Sequence, residues 1–228
     1  MLKTFKAKHV WVGDKRYQQW GDELLPGVTT VLSGTKKAKD KKAIQKWQAS
    51  VGFEEAEKIT KLACDRGSEV HACIEDYLAG KTRTCDPQWV SFWDSIRPEL
   101  SKVSNIQLIE GALHHPLGFA GSVDCVGEWE GQMSIIDWKT STKPKKSSWI
   151  DDYKMQAAAY CAAFNRMYMD DLKKLGIPLV RRAVIVVALG DRPAQVFKIE
   201  PSEIMEYWEN FSKKVGEFGT VFPLPLAE

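Results

Sequence analysis

Residues 119–140, Phe-Ala-Gly-Ser-Val-Asp-Cys-Val-Gly-Glu-Trp-Glu-Gly-Gln-Met-Ser-Ile-Ile-Asp-Trp-Lys-Thr, constrain the fold more than any other stretch. β-Branched and aromatic residues flank Glu130-Gly131, and an x-Gly pair between apolar runs is a short-turn signal. With a two-residue turn there, Trp129 faces Gln132, and counting inward sets Asp124 directly opposite Asp137. Lys139, two residues further on, projects from the same face of its strand. A four-residue loop keeps this register and a three-residue loop does not. Two carboxylates and an ammonium on one side of a small sheet are costly to bury without a partner or a metal.

Two readings follow from the residues. Carboxylates on neighbouring strands can share a hard divalent cation through oxygen ligands, and a lysine beside them can stabilise phosphate charge or orient a water. The plainer reading is a hairpin with a cross-strand ion cluster. The chain holds four Asp-x-Lys triplets: Asp40/Lys42, Asp137/Lys139, Asp152/Lys154 and Asp171/Lys173. Only the second follows an apolar strand run (Met133, Ile135, Ile136) and has an aspartate at the matching register upstream.

Gly121-Ser-Val-Asp124, then Ile135-Ile-Asp137-Trp-Lys139-Thr140, then Gln156-Ala-Ala-Ala-Tyr160, together resemble the motifs of the PD-(D/E)XK nuclease superfamily, in its RecB-like branch. Asp137 stands where restriction enzymes more often carry Glu, and Val123 where the signature has Pro. The resemblance implies an α/β fold with a restriction-endonuclease-like core, a mixed central β-sheet flanked by helices. It implies a metal-dependent DNA exonuclease acting on single-stranded ends. Asp124 and Asp137 would then hold Mg²⁺ or Mn²⁺, with His71 and Glu110 completing the shell. Lys139 would orient a water or stabilise developing charge, and Gln156 and Tyr160 would position the strand or support Lys139. Thr140 and Ser141 would take an adjacent phosphate. A structure-specific or recombination-associated nuclease and a non-catalytic DNA-binding protein are the alternatives.

His71 belongs to a Gly67-x-x-x-His71-x-x-x-Glu75 pattern that this branch also carries. By itself a helical histidine is more often a hydrogen-bonded structural residue. As a ligand, neutral imidazole suits Mn²⁺ better than Mg²⁺. Glu110, an acid amid a buried-looking strand, is costly unless used, a salt bridge being its plainer role. Leu25-Pro-Gly-Val-Thr-Thr-Val-Leu-Ser33 resembles a segment of phage and mitochondrial exonucleases of the branch. There Thr29, Thr30 and Ser33 either donate to phosphates or mark a helix start capped by a threonine.

The net charge of +2 gives no whole-molecule basic field. The lysines are bunched instead, at 36, 37, 39, 41, 42 and 46, and again at 139, 143, 145 and 146. Lys143, Lys145 and Lys146 adjoin the hairpin and are candidate DNA contacts. Five cysteines, odd in number and widely spaced with no Cys-x-x-Cys, argue against a disulfide framework or zinc ribbon. They also lack the clustering that an iron–sulfur cluster needs, and a reducing cytoplasm is the simplest compartment, a host's cytoplasm for a phage protein. No stretch has the apolar length of a membrane span, and residues 1–8 lack a signal-peptide core.

The 228 residues fit one nuclease domain: a hairpin and DNA-binding segment at 1–35, a core at 65–200, and a closing helix and tail at 201–228. Strands are expected near 105–113, 120, 133, 182–189 and 195–199. Helices are expected at 40–50, 53–64, 67–78, 87–101, 148–169 (opened by a Ser148-x-x-Asp151 capping box) and 201–218. The aromatic stripe Trp89, Phe92, Trp93, Ile96, Leu100 reads as core packing.

Overall fold

The computed structural model describes residues 1–222, so the expected C-terminal tail lies outside the described residues. Five strands form one mixed sheet in chain order: β4 (Val103–His115), β5 (Phe119–Trp129), β6 (Gln132–Ser141), β7 (Ala183–Leu189) and β8 (Arg192–Ile199). Only β6 and β7 run parallel; the other neighbours are antiparallel. The Glu130-Gly131 turn has φ of 50° and 79°, the positive pair that a two-residue type I′ turn requires. Trp129 pairs with Gln132 as the spacing predicts.

The parallel β6–β7 pair needs a crossover, supplied by α5 (Asp151–Met167) and α6 (Met169–Leu175). Ala157, Ala158, Ala159 and Ala163 of α5 are buried, and their small side chains let the helix lie close on the sheet. Every residue of β7 is buried. Its odd-numbered side chains join one core, with α5 and α7 (Pro201–Val221). Its even-numbered ones join a second, with α3 (Phe53–Leu78) and α4 (Val90–Ile96). The sheet is thus covered on both faces, which the continuous apolar run at 183–189 calls for.

A second, antiparallel sheet comprises β1 (Lys8–Val12), β2 (Lys15–Trp20) and β3 (Glu23–Pro26). It leads into α1 (Val28–Gly34), and a bridge from Gly27 to Ala120 joins it to β5.

Four local expectations need correction. Helices expected at 53–64 and 67–78 are one 26-residue helix, α3. A mid-helix glycine costs about 1 kcal/mol, and burial of Arg66, Val70, Cys73 and Ile74 outweighs it at Gly67. The capping box at Ser148 is absent: α5 starts after a 3-10 turn, Ser147–Trp149, with no side-chain cap. A capping box occurs instead at Glu200/Glu203, with Pro201 in the first turn of α7. The helix expected at 87–101 is α4 followed by a 3-10 turn, Arg97–Lys102, because Pro98 cannot continue the α-helical ladder. Its stripe does pack into the core through Phe92, Ile96 and Leu100. Finally, no threonine caps α1; Gly27 holds that position without a side-chain bond. The helix α2 (Ala38–Val51) buries none of its residues.

Candidate active site

Three carboxylates stand in one row across three neighbouring strands. Glu110 lies between the pairs Ile109–Cys125 and Gly111–Val123, so it faces Asp124. The pair Cys125–Ile136 places Asp124 in line with Asp137 on the other side. Between β5 and β6, regular pairing stops short of this row. The β5–β6 ladder ends at Cys125–Ile136, and Asp124 Oδ2 accepts the Trp138 backbone N–H at 2.8 Å instead. Glu110 has φ of 48°, a conformation that costs a non-glycine residue about 1–3 kcal/mol and tends to persist where function needs it. The same irregularity breaks the simple two-residue alternation along β4. Leu108 and Leu113, an odd number apart, enter the same core.

His71 of α3 reaches this row from the covering helix. Its Nε2 lies 2.9 Å from the Trp138 carbonyl oxygen, which can only accept, so Nε2 carries the proton. The Nδ1 atom then faces Asp124 Oδ2 at 3.8 Å and Glu110 Oε1 at 3.9 Å. Ligand atoms of these three residues lie within 4.8 Å of one another. Burial by itself would lower the His71 pKa. The Asp124 and Glu110 carboxylates outweigh it and hold the ring up at about 9.

Asp137 is 1% exposed, and neither of its oxygens has a hydrogen-bond partner among the described residues. The Lys139 ammonium lies 2.5 Å from Oδ2 as an ion pair, but without the directionality of a hydrogen bond. Burial pushes the Asp137 carboxyl up to about 6 despite that cation. Lys139 is raised as well: burial acts downward, and Asp137 and Asp124 overcome it. Its Nζ sits 5.3 Å from the centre of the Tyr153 ring.

From α5, Gln156 Nε2 donates to the Tyr160 hydroxyl at 3.1 Å, and both residues are buried. Tyr160 presses on β5 at Gly121, where any Cβ would lie 2.6 Å from its ring. That contact explains the glycine three residues before Asp124.

The remaining predicted contacts are dispersed. Thr140 Oγ1 accepts from Arg66 Nε at 3.0 Å. Ser141 is buried and turned inward, donating to Lys143 O at 2.6 Å and accepting from Lys143 N at 3.2 Å. That local turn occupies the hydroxyl expected to meet phosphate. Lys143 and Lys146 are exposed and Lys145 half-buried. Thr29 is exposed; Thr30 donates to Arg16 O at 2.9 Å, and Ser33 to Thr30 O at 3.0 Å. Arg66 escaped the sequence reading. It is 8% exposed, with its guanidinium 4.7 Å over Phe92, and its signal was a charge one helical turn before the buried Val70 on the same face of α3. A second group, Glu69, Cys73 and Cys85, also clusters. Its carboxylate is already taken by Arg83 at 2.7 Å and by Asp86 N, and burial raises both thiols.

The donor set beside Lys139 fits a divalent cation. One imidazole nitrogen with a fixed tautomer and two carboxylates converge, and an underbonded buried carboxylate stands next to them. Oxygen ligands with one nitrogen suit Mn²⁺ and Mg²⁺.

The chain is similar to mitochondrial genome maintenance exonuclease 1 of Homo sapiens, with 28% identity over 207 residues, 86% of this chain and 58% of that protein. The Mus musculus protein of the same name is 27% identical over 207 residues, 85% of this chain and 59% of that one. The chain therefore spans just under three fifths of these relatives' length. A solved candidate exonuclease from Eubacterium rectale superposes with a TM-score of 0.47 at 10% identity, over 68% of this chain and 67% of that one. The family model described as the PD-(D/E)XK nuclease superfamily matches residues 90–217. That span exceeds half of the chain and takes in β4 to β8, with Glu110, Asp124, Asp137, Lys139, Gln156 and Tyr160, and by it the chain belongs to the PD-(D/E)XK nuclease superfamily.

Proposed function

We propose that the chain is a metal-dependent deoxyribonuclease, an exonuclease that hydrolyses phosphodiester bonds from single-stranded DNA ends. The observation that carries this reading is the convergence of His71 Nδ1, Glu110 and Asp124 within 4.8 Å, beside the buried Asp137–Lys139 pair. The names of the relatives, both exonucleases, support it.

His71, Glu110 and Asp124 would hold the cation, with Asp137 available as a further oxygen ligand. A divalent cation there supplies Lewis acidity toward water and toward a phosphate oxygen. Asp124 keeps its geometry through the Trp138 N–H, and the Trp138 carbonyl does the same for His71. Partners of this kind fix ligand orientation and basicity. Lys139 places a fixed positive charge where negative charge builds as water adds to phosphorus. Asp137 and the Tyr153 ring hold that ammonium in place. Gln156 and Tyr160 brace β5 against α5, and Thr140, Lys143, Lys145 and Lys146 contribute positive and polar groups for the strand's phosphates.

The test is digestion of end-labelled linear DNA and of closed circular single strands, with and without Mg²⁺ or Mn²⁺. The expected result is metal-dependent loss of linear single strands with circles spared. Rapid nicking of circles means an endonuclease instead. Binding without cleavage under every divalent metal means a DNA-binding module.

A further inference from the structure

Resting on that nuclease reading, we propose that Trp11 and Arg16 form a docking site for single-stranded DNA beside the catalytic row. Arg16 takes a backbone phosphate next to the scissile one, and Trp11 stacks on the neighbouring base.

Trp11 and Arg16 are directly paired across the β1–β2 hairpin, so their side chains leave the same face. Trp11 is 68% exposed, and its ring stacks on no other aromatic ring among the described residues. Arg16 is exposed, and among the described residues its guanidinium has no carboxylate within ion-pair distance. Two open concavities meet at Arg16. One, of about 530 Å³, has Arg16 in its lining together with His71, Glu110, Gly67, Ser68 and a second carboxylate, Glu75. The other, of about 550 Å³, is lined by Trp11, Thr29, Thr30, Ser33 and Lys41 as well as Arg16. Arg16 is therefore a shared wall between the proposed metal ligands and a groove carrying an indole, hydroxyls and a lysine. The one carboxylate lining that groove, Asp14, is neutralised by Lys15 at 2.7 Å. The bond from the Thr30 hydroxyl to Arg16 O ties α1 to β2 and fixes where the guanidinium leaves the strand.

The chemistry selects the ligand. A guanidinium fork matches phosphate oxygens in a way a point charge does not. An exposed indole gains from a base only if that base presents its face, as in a single strand; in a duplex the faces are stacked away.

Binding is measured by fluorescence anisotropy with the full chain carrying Asp137→Asn, using a labelled oligothymidine strand and a blunt duplex. Trp11→Ala and Arg16→Ala should each weaken single-strand binding about tenfold, the scale of one lost base stack, and leave duplex binding unchanged. Trp11→Phe should restore binding, and Arg16→Lys only in part. Arg16→Ala should also reduce the slope of log K against log salt by about 0.7, one phosphate's worth on a single strand. With Asp137 intact, both alanine variants should raise KM more than they lower kcat. Parental binding by both alanine variants, or equal losses on strand and duplex, overturns the docking site. Failure of the parent to cleave under any metal overturns the nuclease reading alone, because the binding comparison is read without cleavage.

Discussion

His71 shows how one side chain can be set by its two nitrogens. The Trp138 carbonyl takes the Nε2 proton, and Nδ1 is left facing two carboxylates. Without a metal the ring is held protonated to about pH 9, so a cation must displace that proton to bind. Metal affinity should therefore climb as pH rises toward 9, by up to about tenfold per pH unit for one displaced proton. Mn²⁺ titrations across that range test this, and an affinity flat in pH would remove His71 from the ligand set. The sign for folding is the reverse. A histidine whose folded pKa is raised stabilises fully below its ordinary value of 6.5 and loses that contribution as pH rises through about 9. The metal-free protein should lose thermal stability across that window, and His71→Ala should flatten the loss. Glu110 offers a second residue-scale test. Its φ of 48° penalises any side chain by roughly 1–2 kcal/mol relative to glycine. Glu110→Gly should thus be more stable than Glu110→Ala by about 1 kcal/mol, the opposite of the usual order in a strand. Equal melting temperatures would mean that the strand relaxes there.

At the scale of elements, the hairpin was the legible part. The turn residues and the period-2 alternation were enough to set Trp129 against Gln132 and to bring Asp124 level with Asp137. The five strands of the main sheet could be located because β7 is a continuous apolar run and the others mix apolar and polar residues between turn signals. Less legible was the break in pairing at the Glu110–Asp124–Asp137 row. It depends on a backbone conformation of Glu110 and on a side chain of Asp124 substituting for a ladder bond, and neither leaves a pattern in residue types. The unbroken α3 was hidden because Gly67-Ser68 looks like a helix start, while the tertiary burial that overrides it comes from distant strands. Gly121 carries the packing of α5 on β5. Gly121→Ala should cost about 1–3 kcal/mol through overpacking against Tyr160. The check is chemical denaturation, with an unchanged midpoint as the contrary result.

Across the whole molecule, charge is nearly balanced, so the proposed DNA binding has to come from local placement. Lys143 and Lys146, exposed just past β6, and Lys145 between them, should each contribute to a salt-dependent term. Log K for a single strand should fall with log salt by about 0.7 per neutralised phosphate. Replacing the three lysines by glutamine should lower that slope by about two units. An unchanged slope would place the strand elsewhere.

Lys139→Ala tests whether the carboxylate row with Lys139 hydrolyses phosphodiesters. The measurement is the cleavage rate of an end-labelled single strand by parent and variant, at equal protein in excess Mn²⁺, with DNA binding followed in parallel. Removing one well-placed electrostatic group costs about 10²–10³ in rate. A loss of that size is expected, with binding within a few-fold of the parent, and extra Mn²⁺ should partly restore Asp137→Asn but not Lys139→Ala. Cleavage by Lys139→Ala at the parental rate would mean that hydrolysis takes place elsewhere on the protein.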